Sequence, residues 1–156
     1  MSTPTLNDRA LAELLPGRWE ILATNFPVWL LSAHINPSVE YEVVRTDPLV
    51  RASVIRFETE DGEEKAVYGR SRWTGEDFVR RGRGFRRFLK SRWSVGGVSE
   101  AGHVVTIRTE KSAIIPEGVT LIVRDDVDTE LLRAHVANNS ARFGLTAEDF
   151  ASLGWM

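Results

Sequence analysis

Between residues 39 and 125 the chain repeats one pattern: short runs rich in β-branched and aromatic residues, broken at near-regular intervals by turn chemistry. The runs are Val39 to Thr46, Val50 to Glu58, Lys65 to Trp73, Phe78 to Gly84, Phe88 to Val95, His103 to Thr109 and Val119 to Asp125. Between them stand Asp47-Pro48, Asp61-Gly62, Thr74-Gly75, Gly84-Phe85, Gly96-Gly97 and Pro116-Glu117-Gly118, each with a residue suited to tight backbone geometry. A further strand begins at Trp19, making eight in all. Evenly spaced antiparallel strands of this length predict an up-and-down barrel or a sandwich, and eight strands closed on themselves leave room for one small ligand.

The flanks have a different period. Asn7 or Asp8 can cap a short helix whose Ala10, Leu11, Leu14 and Leu15 fall at helical spacing until Pro16-Gly17 stops it. That helix reads as a lid or plug on a larger element. In the strand that follows, Trp19, Ile21 and Ala23 share a face, but Leu22 is also apolar, so both faces are partly buried. Phe26-Pro27-Val28-Trp29-Leu30-Leu31 is too apolar for an exposed loop. It forms a helical turn or folds over a barrel mouth, which makes Trp29 a candidate ligand-side residue. Near the C-terminus Asp126 or Asp128 can cap a helix of about residues 128–143, with Leu131, His135, Asn139 and Phe143 in one row and Leu132 and Val136 in the next. Gly144 ends it, and a short second helix or strand follows as far as Trp155.

At 156 residues the chain fits one domain, residues 1–156, with the barrel at about 17–125. A net charge of −2 gives no general reason to expect nucleic acid as a partner. The absence of cysteine excludes a disulfide framework, a thiolate nucleophile and a zinc–thiolate site. No apolar run approaches the length of a membrane-spanning helix, and residues 1–8 carry neither the basic nor the apolar region of a secretory signal. The expectation is a soluble, cytoplasmic protein.

Gly17-Arg18-Trp19 opening the first strand, the eight-strand reading and the tail order resemble the lipocalins, and within the calycin group most of all the bacterial and plant-type lipocalins. The strongest local similarity is at the end: Leu121-Ile122-Val123-Arg124, then Asp126-Val127-Asp128, a helix from Thr129 to Phe143, and Gly144-Leu145-Thr146 with Phe150. The resemblance implies a barrel that binds a lipophilic small molecule, with Trp19 packed under Arg124 at the closed end. A guanidinium over an indole face is a favourable cation–π contact in its own right. The sequence departs from the family in three places. Glu20 stands where an aromatic usually follows the tryptophan, the Thr-Asp-Tyr type motif is missing from Gly96-Gly97-Val98-Ser99-Glu100, and there is no lipobox cysteine. The opening also resembles the ten-stranded fatty-acid-binding proteins, which lack a C-terminal helix.

Basic residues concentrate in the middle strands: Arg70, Arg72, Arg80, Arg81, Arg83, Arg86, Arg87, Lys90 and Arg92. Side chains alternate along a strand, so one of Arg80 and Arg81 faces the interior. An interior arginine needs an anionic or hydrogen-bonded partner, and Arg81 with Arg83 is the candidate anchor for the carboxylate or phosphate of an amphipathic ligand. The competing reading puts these residues on a solvated outer surface, or turns them outward at a bulge at Gly82 or Gly84. Tyr41, Phe57, Tyr68, Trp73 and Trp93 are the aromatic candidates for lining a cavity. His34, His103 and His135 lack metal-ligand spacing, so no metal and no cofactor is expected; haem held by His135 is the minor alternative. No nucleotide-binding or hydrolase motif occurs. The sequence therefore predicts a binder of a lipophilic or amphipathic small molecule, anionic ones included. A calycin-type isomerase or cyclase acting on an apolar metabolite is the enzymatic alternative.

Overall fold

A computed structural model describes residues 7–26, 35–46, 49–82, 90–112, 117–124 and 129–155. The first helix, α1 (Asp8–Leu14), starts at Asn7, whose side-chain oxygen accepts from the Ala10 N–H at 2.9 Å. Eight strands follow: β1 (Gly17–Thr24), β2 (Ile35–Thr46), β3 (Leu49–Glu58), β4 (Glu64–Trp73), β5 (Phe78–Gly82), β6 (Lys90–Val98), β7 (Val104–Thr109) and β8 (Gly118–Val123). The chain finishes with α2 (Thr129–Asn138), α3 (Ala147–Ser152) and a two-residue strand, β9 (Gly154–Trp155).

From β2 to β8 each strand pairs antiparallel with the next, and β1 joins the two ends. Its first half pairs with β2, with Trp19 opposite Val39; its second half pairs with β8, with Ile21 opposite Ile122. The result is a closed eight-stranded up-and-down barrel, and β9 adds onto β1 opposite Ala23 and Thr24.

Two apolar clusters result. The inner one holds Trp19, Ile21, Val39, Tyr41, Phe78, Trp93, Val105, Ile107 and Ile122 inside the barrel, and Leu11 and Leu15 of α1 plug one end of it. The outer one joins the wall formed by β1, β7 and β8 to the C-terminal segment through Leu22, Val119, Leu121, Val123, Val136 and Phe143. This is why β8 is buried along its whole length rather than alternately. A register shift between Ile21 and Ala23 turns Ala23 into the outer cluster, so it does not share the inner face with Trp19 and Ile21.

The expected glycine turn at Gly96-Gly97 lies inside β6 as an irregularity between Val95 and Gly97, and the chain reverses at Ser99–Gly102 instead. Close packing is the reason. A Cβ on Gly97 would lie 2.5 Å from the Phe143 Cα and would also collide with the Arg142 carbonyl oxygen, so the glycine admits the C-terminal backbone onto the barrel wall. The C-terminal helix also ends sooner than the periodicity implies, at Asn138 rather than 143. Beyond it the Arg142 and Phe143 N–H groups both turn back to the Asn139 carbonyl. The face that packs is Val136 with Leu132 and Phe143; Leu131 is 71% exposed and His135 also faces out. The capping candidates Asp126 and Asp128, and the end of the predicted fifth strand beyond Gly82, lie outside the described residues.

Candidate functional site

The plugged end of the barrel is built around Trp19. Its indole N–H donates to the Leu15 carbonyl at 2.9 Å, and the Arg124 guanidinium carbon lies 3.7 Å from the ring centroid. Arg124 in turn donates to the Leu14 carbonyl at 2.8 Å. Gly17, at φ 109°, makes room for it, because a Cβ there would stand 2.7 Å from an Arg124 nitrogen.

Inside, an aromatic layer crosses the barrel. Tyr41 stacks on Trp93 at 5.8 Å between centroids, Trp93 on Phe78 at 4.4 Å, and Phe78 meets Trp73 at 4.9 Å. On the α1 side of this layer lies Arg51, which is 0% exposed. Its guanidinium carbon is 5.5 Å from the Tyr41 and Phe78 ring centroids, and one Nη donates to the Leu11 carbonyl at 2.6 Å. Its Nε and other Nη have no hydrogen-bond partner among the described residues. Burial lowers the Arg51 pKa to about 10.

On the other side of the layer is a cavity of about 340 Å³. Its walls are apolar, from Ile21, Val39, Ile55, Val67, Ile107 and Ile122, with Phe26 toward the mouth. Its polar groups are the Tyr41 phenol, the serines at 53, 71 and 91, the threonines at 109 and 120, and Arg80. Ser71 is held in place by the Trp93 indole N–H, which donates to its Oγ at 3.0 Å. Burial pushes the Tyr41 pKa up to about 12, partly offset by the charges of Arg51 and Arg80, so the phenol stays protonated at neutral pH. Among the described residues the lining contains no Asp, Glu or His.

Of the expected ligand residues, Tyr41 and Trp93 line this cavity. Trp73 is packed into the inner core against Phe78 instead. Phe57 borders a different feature, a polar cleft of about 730 Å³ with Arg18, Glu20, Ile35 and Arg56 where β2 diverges from β1. Tyr68 faces outward and is 46% exposed, because Val67, Gly69 and Ser71 take the inner positions of β4. Trp29 and Arg83 lie outside the described residues.

Of the two neighbouring arginines, the inward one is Arg80, not Arg81. Arg81 is exposed and borders a shallow outer depression with Arg70 and Arg72, while Arg80 faces in. The bulge that would have changed the alternation is absent from the described part of β5, whose pairing with β4 runs regularly from Phe78 to Gly82. Phe78, a large apolar residue at the strand start, carries the signal that could have found this: residues two apart share a face, so Arg80 goes where Phe78 goes. Arg51 gave no such signal, standing between Val50 and Ala52 on a strand apolar on both faces. Glu40 lies on the outer face, paired with Arg56 at 3.3 Å, and Glu42 is exposed. His103 and His135 are exposed, so His135 offers no ligand to a group inside the barrel. Among the described residues no group of three or more His, Asp or Glu is placed to hold a metal.

A closed eight-stranded barrel with one end plugged by a helix, a second helix on its wall and a cavity inside is the lipocalin fold. Among solved structures the chain is similar to the cockroach allergen Per a 4, with a TM-score of 0.60 and 12% identity over 86% of this chain and 81% of that one. It is likewise similar to lobster apocrustacyanin A1, with a TM-score of 0.60 and 8% identity over 99% of this chain and 87% of that one. Japanin from Rhipicephalus appendiculatus, solved bound to cholesterol, has a TM-score of 0.52 and 10% identity, covering 84% of this chain and 89% of the other. At these identities the likeness is one of fold. No protein-family model and no curated protein sequence matches the chain.

Proposed function

We propose that this protein binds a lipophilic or amphipathic small molecule inside its barrel. The observation that carries the reading is the 340 Å³ cavity above the Tyr41–Trp93 layer, whose walls are mostly apolar and include a guanidinium and hydroxyls. A concave, mostly apolar site with a few convergent polar groups is the usual form of a small-molecule site. Japanin, a protein of similar fold, was solved bound to cholesterol, which supports the reading.

The test is native mass spectrometry of the protein purified gently from its own host, joined to titration with the neutral dye Nile red. The reading expects an adduct on the 17.5 kDa chain, or saturable dye binding accompanied by a change in tryptophan emission, to which Trp93 in the cavity wall contributes. Val67→Trp, which projects a large ring into the cavity, should abolish dye binding while the protein stays folded. No adduct and no dye binding would overturn the proposal.

A further inference from the structure

We propose that the ligand of this cavity is a carboxylate on an apolar body, bound head inward, with Arg80 receiving the carboxylate. The inference rests on the cavity-binding reading above and specifies the chemistry of the molecule bound there.

Arg80 stands one inward position beyond Phe78 on β5, which puts its guanidinium on the cavity side of the aromatic layer. Directly opposite it on β4 is Ser71, and Gly69, two residues along the same inner face, faces Gly82. A Cβ on Gly69 would come within 2.6 Å of an Arg80 Nη, 2.7 Å of its Cζ and 2.8 Å of its Nε, so the glycine lets the guanidinium lie flat against the neighbouring strand. A guanidinium offers five N–H donors in a planar fork, so it can keep protein contacts and still present a pair of donors to a carboxylate. The Tyr41 phenol and the hydroxyls of Ser53, Ser71 and Ser91 surround the same level of the barrel. The Tyr41, Ser71 and Ser91 hydroxyls are neutral and can donate a hydrogen bond to an anion, while the Ser53 hydroxyl donates to the Gly69 carbonyl at 3.5 Å.

The field points the same way. Beneath the aromatic layer the buried Arg51 adds a second positive charge, with two of its nitrogens without hydrogen-bond partners among the described residues. The carboxylates of β2, Glu40 and Glu42, are on the outer face, so the interior is positive although the chain carries a net charge of −2. A site with a guanidinium and hydroxyls beside the aromatic layer, and walls that are mostly apolar apart from Thr109 and Thr120, fits an amphiphile with its anion next to Arg80. Low-dielectric walls strengthen that attraction.

The experiment compares three ligands with one chain and three heads, decanoate, decanol and decylamine, by displacement of Nile red at neutral pH. Decanol is the most readily transferred from water, so a preference for decanoate has to come from the protein's charge. Decanoate should bind about ten- to a hundredfold more tightly than decanol, the range expected of a charge-assisted hydrogen bond, and decylamine should bind most weakly. Arg80→Gln should bring decanoate down to the affinity of decanol and leave decanol unchanged. Arg81→Gln, the same change of charge on the outer face, should alter neither. Equal affinities for the three heads, or a decanoate preference that survives Arg80→Gln, would overturn the carboxylate assignment while leaving the barrel a binder. If Arg80→Gln does not fold, the order of the three heads on the unaltered protein still decides. Failure of all three ligands and of the dye would overturn the cavity reading, and the carboxylate assignment with it.

Discussion

The Arg124 guanidinium lies over Trp19, its carbon 3.7 Å from the ring centroid, and so ties the end of β8 to the start of β1 across 105 residues of chain. It also donates to the Leu14 carbonyl at the end of α1, so one side chain joins the last barrel strand, the first strand and the plug. Arg124→Ala should lower stability by about 1–3 kcal/mol, through the lost cation–π contact and a carbonyl left without its donor. Urea unfolding would read this as a lower midpoint at unchanged slope. An unaltered midpoint would show that the contact does not hold the end closed.

Arg51 makes the opposite prediction. A fully buried guanidinium with one hydrogen bond to the Leu11 carbonyl and two nitrogens without partners among the described residues carries a desolvation penalty that its surroundings only partly offset. Arg51→Met, which fills similar volume without charge, should leave stability unchanged or raise it by about 1–2 kcal/mol. Arg51→Ala should lower it by about 2–4 kcal/mol, because a cavity is left under the aromatic layer. If the methionine variant melted well below the parent, Arg51 would be a net stabilising element.

Asp149 fastens the tail. Its carboxylate accepts from Arg108 of β7 at 2.8 Å and from the Thr146 N–H at 3.0 Å, while the Thr146 hydroxyl accepts from the Asp149 N–H, a reciprocal cap on α3. The Arg108 hydrogen bond is the largest cause of a pKa held below the ordinary aspartate value, against a smaller opposing effect of burial. A carboxyl whose native pKa is depressed contributes stability that is complete above its unfolded pKa of about 3.9 and is lost as pH falls through the lower native value. Asp149→Asn should therefore cost about 1 kcal/mol at neutral pH, and the gap between variant and parent should close as the pH falls below about 4. A gap that stayed constant with pH would sever the effect from the ionised carboxylate.

On the outer face, Arg81 stands directly opposite Arg70 on one side and Lys90 on the other, all three exposed. Like charges in facing positions are destabilising. Arg81→Glu exchanges two repulsions for two attractions and should raise stability by about 0.5–1 kcal/mol at low ionic strength. One molar salt should erase most of the gain, since screening then acts within about 3 Å. Thermal melts in low and high salt would test both halves, and a gain unaffected by salt would point to a cause other than charge.

What the sequence by itself determined is what local chemistry encodes. The alternation of apolar residues, the turn residues and the end signal at Pro16-Gly17 are properties of a few neighbouring residues, and from them came eight strands, the N-terminal plug and the C-terminal helix, though not where that last helix ends. Trp19 and Arg124 were legible as a pair only through resemblance, because nothing local connects them. The tertiary structure alone decided which face is inside. On a strand that choice turns on a single residue, and a shift of one exchanges the whole set. Closure of the sheet put Arg80 rather than Arg81 in the cavity and turned Tyr68 outward. The register shift in β1 moved Ala23 out of the interior, and the approach of Phe143 made Gly97 part of a strand rather than a turn. Each of these depends on a partner distant in the chain, and the cavity exists only where all eight strands meet around it.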